Sequence, residues 1–406
     1  MKILHIISQS PDFTGSGKYI REIIRHSNRH GHDNYLVAGA QADFEMPDAL
    51  IPENRCLFVR FDGPDLGFPI PGMSDNMPYR STVFSTMDDR KWAAYTGVFR
   101  EKIGAAVAAF KPDILHTHHL WAVSAISRDA APHLPMVTTC HGTCLRQHYL
   151  CPERGTAVKK HLSRIDRVIA LSRDQQARVG NLLDLPKERI PVISGGYNKD
   201  CFFAGEKPLD GEVVFVYAGK LSVQKGVPWM LNSFERIKGM PFKLHLAGNA
   251  NENQKNHCLA LAGRLGPKAV CHGPLSHRDL GALMRRSHVF ILPSFYEGLP
   301  LVLMEALACG CRIIATALPG VHEIFNTHHP EMVNLVDLPP LKTIDAPHEK
   351  DEEMLETRLS KILSRTISSV AGQPLPDMDY VRSATAPYTW EKIYTRIESV
   401  YRELIN

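Results

Sequence analysis

Long hydrophobic runs are missing from this 406-residue chain. No stretch approaches the roughly 18 consecutive apolar residues that a membrane span needs, so any contact with a membrane is expected to be peripheral. No secretory leader is expected. The opening run Ile3–Ile7 is short, is interrupted by His5 and ends at Ser8-Gln9, which suits a first β-strand. Charge of one sign is not in excess. The net charge of +4 arises from 47 basic and 43 acidic residues, with no basic stripe, which sets nucleic acid aside as a partner. There is no disulfide framework either. The nine cysteines are an odd number without regular spacing, and neither Cys309/Cys311 nor Cys140/Cys144 has zinc-finger partners. Reduced thiols and a cytoplasmic location are the expectation. Internal repeats and low-complexity tracts are absent.

What remains is an ordinary globular composition, 44% hydrophobic and 22% charged, in a chain long enough for two domains. Short β-branched runs alternate with helical patterns. The first series of expected strands is Lys2–Ile7, Asn34–Val37, Ile114–His116, Met136–Cys140, Arg167–Leu171 and Pro191–Ser194. The second is Val213–Ala218, Phe242–Ala247, Ala269–His272, Val289–Leu292, Arg312–Thr316 and Val333–Val336. Alternation of this kind predicts parallel sheets covered on both faces, with ligands at the carboxyl ends of the strands. The expected organisation is an α/β pair of doubly wound domains over 1–195 and 208–385, followed by a C-terminal helix within 386–406. The stretch from Gln41 to Tyr79, rich in Pro, Gly and Asp, interrupts the pattern. It is read as an acceptor-side lid or as a mobile insertion.

Several motifs carry chemistry. Thr14-Gly-Ser-Gly-Lys-Tyr sits between a strand and a helix, where Gly15 and Gly17 let backbone N–H groups approach an anion. It fails as a P-loop, because Asp12 and Tyr19 stand at key positions, and as a dinucleotide fingerprint, because Ile20 replaces the third glycine. Tyr217-Ala-Gly-Lys-Leu-Ser-Val-Gln-Lys-Gly places Lys220 and Lys225 beside Gly219 at a strand's carboxyl end, where two cations can neutralise a diphosphate without a metal. Two solvated lysines are the alternative. In Pro293-Ser-Phe-Tyr-Glu-Gly-Leu-Pro-Leu-Val-Leu-Met-Glu, Pro300 is expected at the first helical position and Glu305 lies within an apolar helix. At about 1.5 Å per residue Glu297 and Glu305 would stand roughly 12 Å apart on one helical face. Carboxylates that share one glycosidic bond stand about 5–9.5 Å apart, so this pair suits the two ends of one polar ligand. His141 follows a strand and is read as facing the reacting sugar, or else as a core or capping residue. His116-Thr-His-His119 ends another strand. No carboxylate or cysteine nearby completes a metal set, so an acceptor-site wall is expected there. Asp377-Met-Asp379 reads as a solvated turn, and no metal is expected. Lys18, Arg21, Arg25 and Arg29 on the first helix read as a solvated face or as a surface for anionic lipid.

Taken together, Glu297-x7-Glu305 after Pro293-Ser, the Ala-Gly-Lys-Leu…Lys-Gly loop, Pro319-Gly-Val-His-Glu323 and the early Gly-Ser-Gly turn resemble the family 4 retaining glycosyltransferases of the GT-B fold, in order and spacing over nearly the whole chain. The resemblance is weakest between about Gln41 and Trp92. It implies a donor cleft between two Rossmann-like domains, closed by a crossover helix at Trp390–Leu404. It also implies that Lys220, Lys225 and the Gly15–Gly17 turn hold the diphosphate. Glu297 with the N–H groups of Gly298 and Leu299 would hold the transferred sugar, Glu305 the ribose, and the turn ending at Leu275 the base. The family usually has Arg where this chain has Lys220, so a planar two-pronged donor becomes a point charge. The expected activity is metal-independent, retaining, hexosyltransferase-type transfer from a nucleotide sugar, expected to be a UDP-sugar, to a sugar or lipid-linked sugar hydroxyl in glycan, polysaccharide or glycolipid assembly. No cofactor is expected. A nucleotide-sugar epimerase and a non-catalytic nucleotide-sugar-binding protein are the alternatives.

Overall fold

The computed structural model describes residues 1–12, 14–46, 49–73, 77, 79–209, 211–297, 299–325, 329, 331–343 and 345–405. The chain forms two compact units, Met1–Gly195 with Trp390–Asn406, and Gly196–Thr389.

The strands of the first unit are β1 (Lys2–Ile7), β2 (Asp33–Gln41), β3 (Cys56–Phe61), the short pair β4 (Pro71–Gly72) and β5 (Thr82–Val83), β6 (Ile114–His118), β7 (Met136–Cys140) and β8 (Arg167–Ala170). Its helices are α1 (Gly15–Arg29), α2 (Asp89–Phe110), α3 (Ala122–Ala130), α4 (Gly142–Leu150), α5 (Pro152–Leu162) and α6 (Arg173–Leu183). The main sheet is parallel, in the order β3-β2-β1-β6-β7-β8. Helices cover both faces, which is why β1, β6 and β7 are almost wholly buried and do not alternate between apolar and polar.

In the second unit the strands are β9 (Val213–Ala218), β10 (Phe242–Ala247), β11 (Ala269–Gly273), β12 (Val289–Leu292), β13 (Arg312–Thr316) and β14 (Val333–Val336). The helices are α7 (Val227–Arg236), α8 (Glu252–Arg264), α9 (His277–Arg285), α10 (Leu301–Ala308), α11 (Pro319–Ile324), α12 (Glu352–Gly372) and α13 (Met378–Thr385). The strand order is β11-β10-β9-β12-β13-β14. In both units the winding reverses beside the first strand, at β1/β6 and at β9/β12. A doubly wound sheet opens a ligand-sized crevice at that reversal.

The last helix, α14 (Trp390–Ile405), belongs to the first unit although all of the second precedes it in the chain. It buries Trp390, Ile393, Tyr394, Ile397, Val400 and Tyr401. The Trp390 ring meets Tyr19 of α1 edge-on at 5.1 Å, and Tyr401 donates or accepts a 2.6 Å hydrogen bond at His116 Nδ1. Glu398 sits between His30 Nδ1 (2.7 Å) and His32 Nε2 (2.9 Å), with Arg402 beside it. Burial alone would raise this carboxyl, but hydrogen bonds from Arg402, His30 and His32 outweigh it and hold it at about 2.

Three expectations change. Pro191–Ser194 is not a strand; it makes one isolated bridge, Ala170 to Val192. The sixth strand of the first sheet is instead β3, inside the stretch read as a lid or insertion. Part of that stretch lies outside the described residues. Its described middle is core, with Ile51, Val59, Phe61, Leu66, Phe68, Ile70 and Met73 all buried. Pro300 precedes α10 as its cap, with φ −80° and ψ 86°, and does not occupy its first turn.

Asp377 caps α13 by accepting from the N–H groups of Asp379 and Tyr380, both at 3.0 Å, which accounts for the Asp-x-Asp spacing. Arg21 pairs with Asp12 and Arg25 with Glu22, which places acids against the basic face of α1. All nine cysteines are free thiols. Among the described residues no helix is long and apolar enough to cross a membrane.

Phe61 ends β3 fully buried, with its ring 5.8 Å from Phe68 and 6.2 Å from Tyr95. Phe61→Ala is expected to lower stability by about 3–5 kcal/mol, measured as a drop in the urea midpoint. A surface insertion at this position would give a change under about 0.5 kcal/mol.

Candidate active site

The second unit brings its predicted residues to the β9/β12 reversal. β9 runs into the loop that carries Gly219, Lys220 and Lys225, and β12 runs into the loop that carries Ser294 and Glu297. Two features lock the loops together. Gly226 has φ +69°, and a side chain there would begin 1.9 Å from the carbonyl oxygen of Pro293, so only glycine permits the approach. Around it, Trp229 Nε1 donates to the same Pro293 oxygen (3.1 Å) and the Phe295 N–H donates to the Gln224 carbonyl (3.1 Å). Thr316 Oγ1 donates to the Ser294 carbonyl at 2.5 Å and ties in the end of β13.

The result is a charged centre. Lys225 Nζ lies 2.7 Å from Glu297 Oε1, and Ser294 Oγ donates to the same oxygen at 2.7 Å. Both charged side chains are largely shielded, at 27% and 13% exposure, so this pair is held more firmly than a surface ion pair. The half-buried Lys220 stands close enough to feel both groups. Burial first and the Lys225 charge second lower its ammonium, Glu297 partly opposes them, and the net value is about 8. Tyr217 donates its hydroxyl to the Lys220 carbonyl at 2.7 Å and fixes the loop backbone from within the core. Gly219 donates to the Ala247 carbonyl at 3.0 Å.

The remaining predicted residues separate. Glu305 is half-buried in the middle of α10, between buried Met304 and Ala306. Because α10 starts at Leu301, Glu297 is a loop residue. The helical estimate of the Glu297–Glu305 separation therefore does not apply, since the cap conformation at Pro300 breaks the spiral. Leu299 is half-buried beside that cap, and Gly298 lies outside the described residues. Leu275 follows β11, half-buried against the core of the second unit.

Gly15, Gly17 and His141 belong to the first unit. Gly15 and Gly17 do not form an open loop; they are the first turn of α1. Thr14 caps that turn, its Oγ1 accepting from the Gly17 N–H at 3.0 Å. Gly17 is glycine for a packing reason: a side chain would start 2.6 Å from the Asp12 nitrogen and 2.8 Å from the Ser10 oxygen. Gly15 has open space around it and remains the residue an anion could approach.

His141 is nearly buried and opens α4, although its side chain does not cap the helix. Its Nε2 lies 3.3 Å from His118 Nδ1, and Tyr19 meets its ring edge-on at 5.1 Å. Burial pushes its basicity down to about 3, so the imidazole is neutral at physiological pH. A group this weakly basic orients hydroxyls by hydrogen bonding; it is poorly suited to taking a proton.

Sequence reasoning placed Gly226 in the lysine loop but missed its packing role, which appears only when the two loops meet. It also assigned no role to Ser294, although it noted the Pro293-Ser pair, and it missed Tyr217, which looked like an ordinary strand residue.

Residues 13–200 match the family described as Glycosyltransferase Family 4, and residues 199–334 match Glycosyl transferases group 1. The chain belongs to the family 4 glycosyltransferases. Among curated relatives of this family 4 chain, a glycogen synthase of Mycobacterium tuberculosis is 28% identical over 238 residues, 56% of this chain and 57% of that protein. A D-inositol 3-phosphate glycosyltransferase of Mycobacterium bovis is 26% identical over 233 residues, 52% and 48% of the two. The matched region thus spans about half the length of these relatives. Among solved structures, sucrose-phosphate synthase from Thermosynechococcus elongatus superposes with a TM-score of 0.72 at 19% identity, covering 100% of this chain and 99% of that one. Anabaena HepE in complex with UDP and glucose gives 0.64 at 16% identity, with 100% of each covered. These neighbours establish the GT-B fold for the chain.

The Gly226 contact generates a prediction. Gly226→Ala is expected to destabilise the second unit by about 2 kcal/mol or more, from backbone strain and the clash with Pro293. Thermal denaturation should show a clearly lowered transition. Gly239→Ala, where a side chain meets nothing within 4 Å, should leave it in place.

Proposed function

We propose that the chain transfers a glycosyl group from a nucleotide sugar to an acceptor hydroxyl with retention of anomeric configuration. The observation that carries this reading is the Lys225–Glu297 pair with Lys220 beside it, at the sheet reversal of the second unit. In support, the chain belongs to a glycosyltransferase family, and one fold neighbour was solved with UDP-glucose. That neighbour favours a UDP-sugar as donor.

In this reading Lys220 and Lys225 hold the diphosphate and Glu297 accepts hydrogen bonds from the sugar hydroxyls. The N–H group of Leu299 helps to hold the sugar. Glu305 takes the ribose, Leu275 lies beside the base, and Gly15 offers a first-turn amide to an anion. The bond from the anomeric carbon to the phosphate oxygen breaks, and its electron pair passes to the diphosphate. The acceptor oxygen bonds to that carbon from the same face, and its proton passes to a phosphate oxygen. The lysines are already in place where this negative charge develops, so they lower the barrier electrostatically without a divalent ion. His141 orients hydroxyls at the reacting sugar. The acceptor is a sugar or lipid-linked sugar, the transferred group a hexose, and the setting glycan or polysaccharide assembly at the cytoplasmic side.

Glu297→Gln and Lys225→Ala should each lower turnover by about a hundredfold or more with the fold retained. The assay follows released nucleoside diphosphate together with new glycoside. Interconverted nucleotide sugar without release would indicate an epimerase, and binding without turnover a non-catalytic protein. Omitting Mg²⁺ and Mn²⁺ should leave the rate unchanged.

The pH profile gives a further check. Lys220 must be protonated to hold the diphosphate, and its ammonium titrates at about 8. The kcat/KM of the free enzyme should therefore fall as pH rises through that value. Lys220→Arg, charged throughout that range, should move the limb upward. An unchanged limb would remove Lys220 from the phosphate site.

A further inference from the structure

The sequence reading found no third ligand near His116 and His118. The first sheet supplies one from a distant part of the chain. His5 stands opposite His116 in the β1–β6 register, and His118 follows two residues later on the same face. All three are fully buried, and one ring nitrogen from each lies within 4.8 Å of the other two.

Two of the ring nitrogens, His5 Nδ1 and His118 Nε2, have no hydrogen-bond partner among the described residues. Buried polar atoms are ordinarily paired, so two orphans in one cluster need a reason. The hydrogen-bond network fixes the state of His5. Asn34 Nδ2 donates to Asn28 Oδ1 (2.7 Å) and to the His32 carbonyl (3.1 Å), so Asn34 Oδ1 is an acceptor. It accepts from Ser27 Oγ (2.8 Å) and from His5 Nε2 (2.9 Å). His5 therefore carries its proton on Nε2 and presents a bare lone pair on Nδ1. A ligating imidazole is held in the same way by a partner at its other nitrogen. His118 is held similarly through its Nδ1, 3.3 Å from His141 Nε2, which leaves Nε2 as the orphan. His116 bonds to Tyr401 OH (2.6 Å) and to Thr139 Oγ1 (2.9 Å). On ligating, it would release one hydroxyl and keep the other as its orienting partner.

We propose that His5, His116 and His118 form a structural site for a Zn²⁺-type ion inside the first unit. Three neutral imidazoles suit a borderline first-row ion, and small ring rotations would draw the nitrogens to the spacing of bonds of about 2.0–2.1 Å. The fourth position falls to a water or to the Tyr401 oxygen, and with Tyr401 a bound ion would tie β1 and β6 to α14. Burial favours the neutral form that a metal requires in all three rings, and neighbouring imidazoles add to it at His116 and His118. The site belongs to the first unit and shares no residue with Lys220, Lys225 or Glu297, although its ligand His118 meets His141.

The test unfolds the full-length protein in chelator and refolds it with Zn²⁺ or Co²⁺, because a wholly buried site must load during folding. Expected are about one ion retained per chain after gel filtration and the intense visible absorption of tetrahedral Co²⁺. X-ray absorption of the zinc form should show only nitrogen and oxygen neighbours, with imidazole scattering. His5→Asn and His118→Asn should abolish retention while far-ultraviolet circular dichroism stays native. Refolded protein that retains no ion overturns the proposal. So does retention undiminished in the folded variants, or sulfur among the zinc neighbours, which would place the ion on cysteines. Should either variant fail to fold, the absorption spectrum of the unsubstituted protein decides alone.

Discussion

The contact of Gly226 with the Pro293 carbonyl is the constraint on which the candidate site rests. Lys225 and Glu297 are 72 positions apart in the chain and sit on different strand-to-helix loops. Nothing in their own side chains would bring them to 2.7 Å. The approach is possible because one residue lacks a side chain and accepts a left-handed backbone. The Trp229 indole, the Phe295 amide and the Thr316 hydroxyl then hold the two loops in register. A charged pair assembled in this way is stiff before any ligand arrives, and that stiffness is what electrostatic stabilisation of a leaving group requires.

Much of this was legible in the residue order. β-branched runs separated by helical spacing gave eleven of the twelve main strands, because parallel strands buried on both faces must be continuously apolar. Lys220, Lys225 and Glu297 were legible because charged residues directly after such strands fall where doubly wound sheets bind ligands. The failures have physical causes too. Cys56–Phe61 has the composition of a strand, but it is flanked by Pro, Gly and Asp. The flanks pointed to a loop, whereas the aromatic residues around Phe61 make the segment core. Pro191–Ser194 has strand composition but lies at the sheet edge, where it pairs with Ala170 alone. Gly17 looked like an anion-binding residue and proves to be a packing residue. Local sequence shows a missing side chain; it does not show what fills the space.

The histidines illustrate the same limit at longer range. His116, Thr117, His118 and His119 are adjacent in sequence, yet their chemistry is set by His5, Asn34, His141 and Tyr401 from four other segments. Desolvation rules out positive charge for His116, His118 and His119. The first unit therefore keeps these three imidazoles as hydrogen-bonding groups, while the second unit concentrates cations beside a carboxylate. The two doubly wound sheets share one strand order and differ in electrostatic character at their reversals.

The placement of α14 bears on how the molecule is made. Tyr401 reaches His116, and Trp390 covers Tyr19, only after every residue of the second unit has left the ribosome. Until then the nascent first sheet exposes an apolar groove along α1. During synthesis the first unit is the last to be completed although its sheet is the first to emerge, so its folding cannot finish in simple N-to-C order.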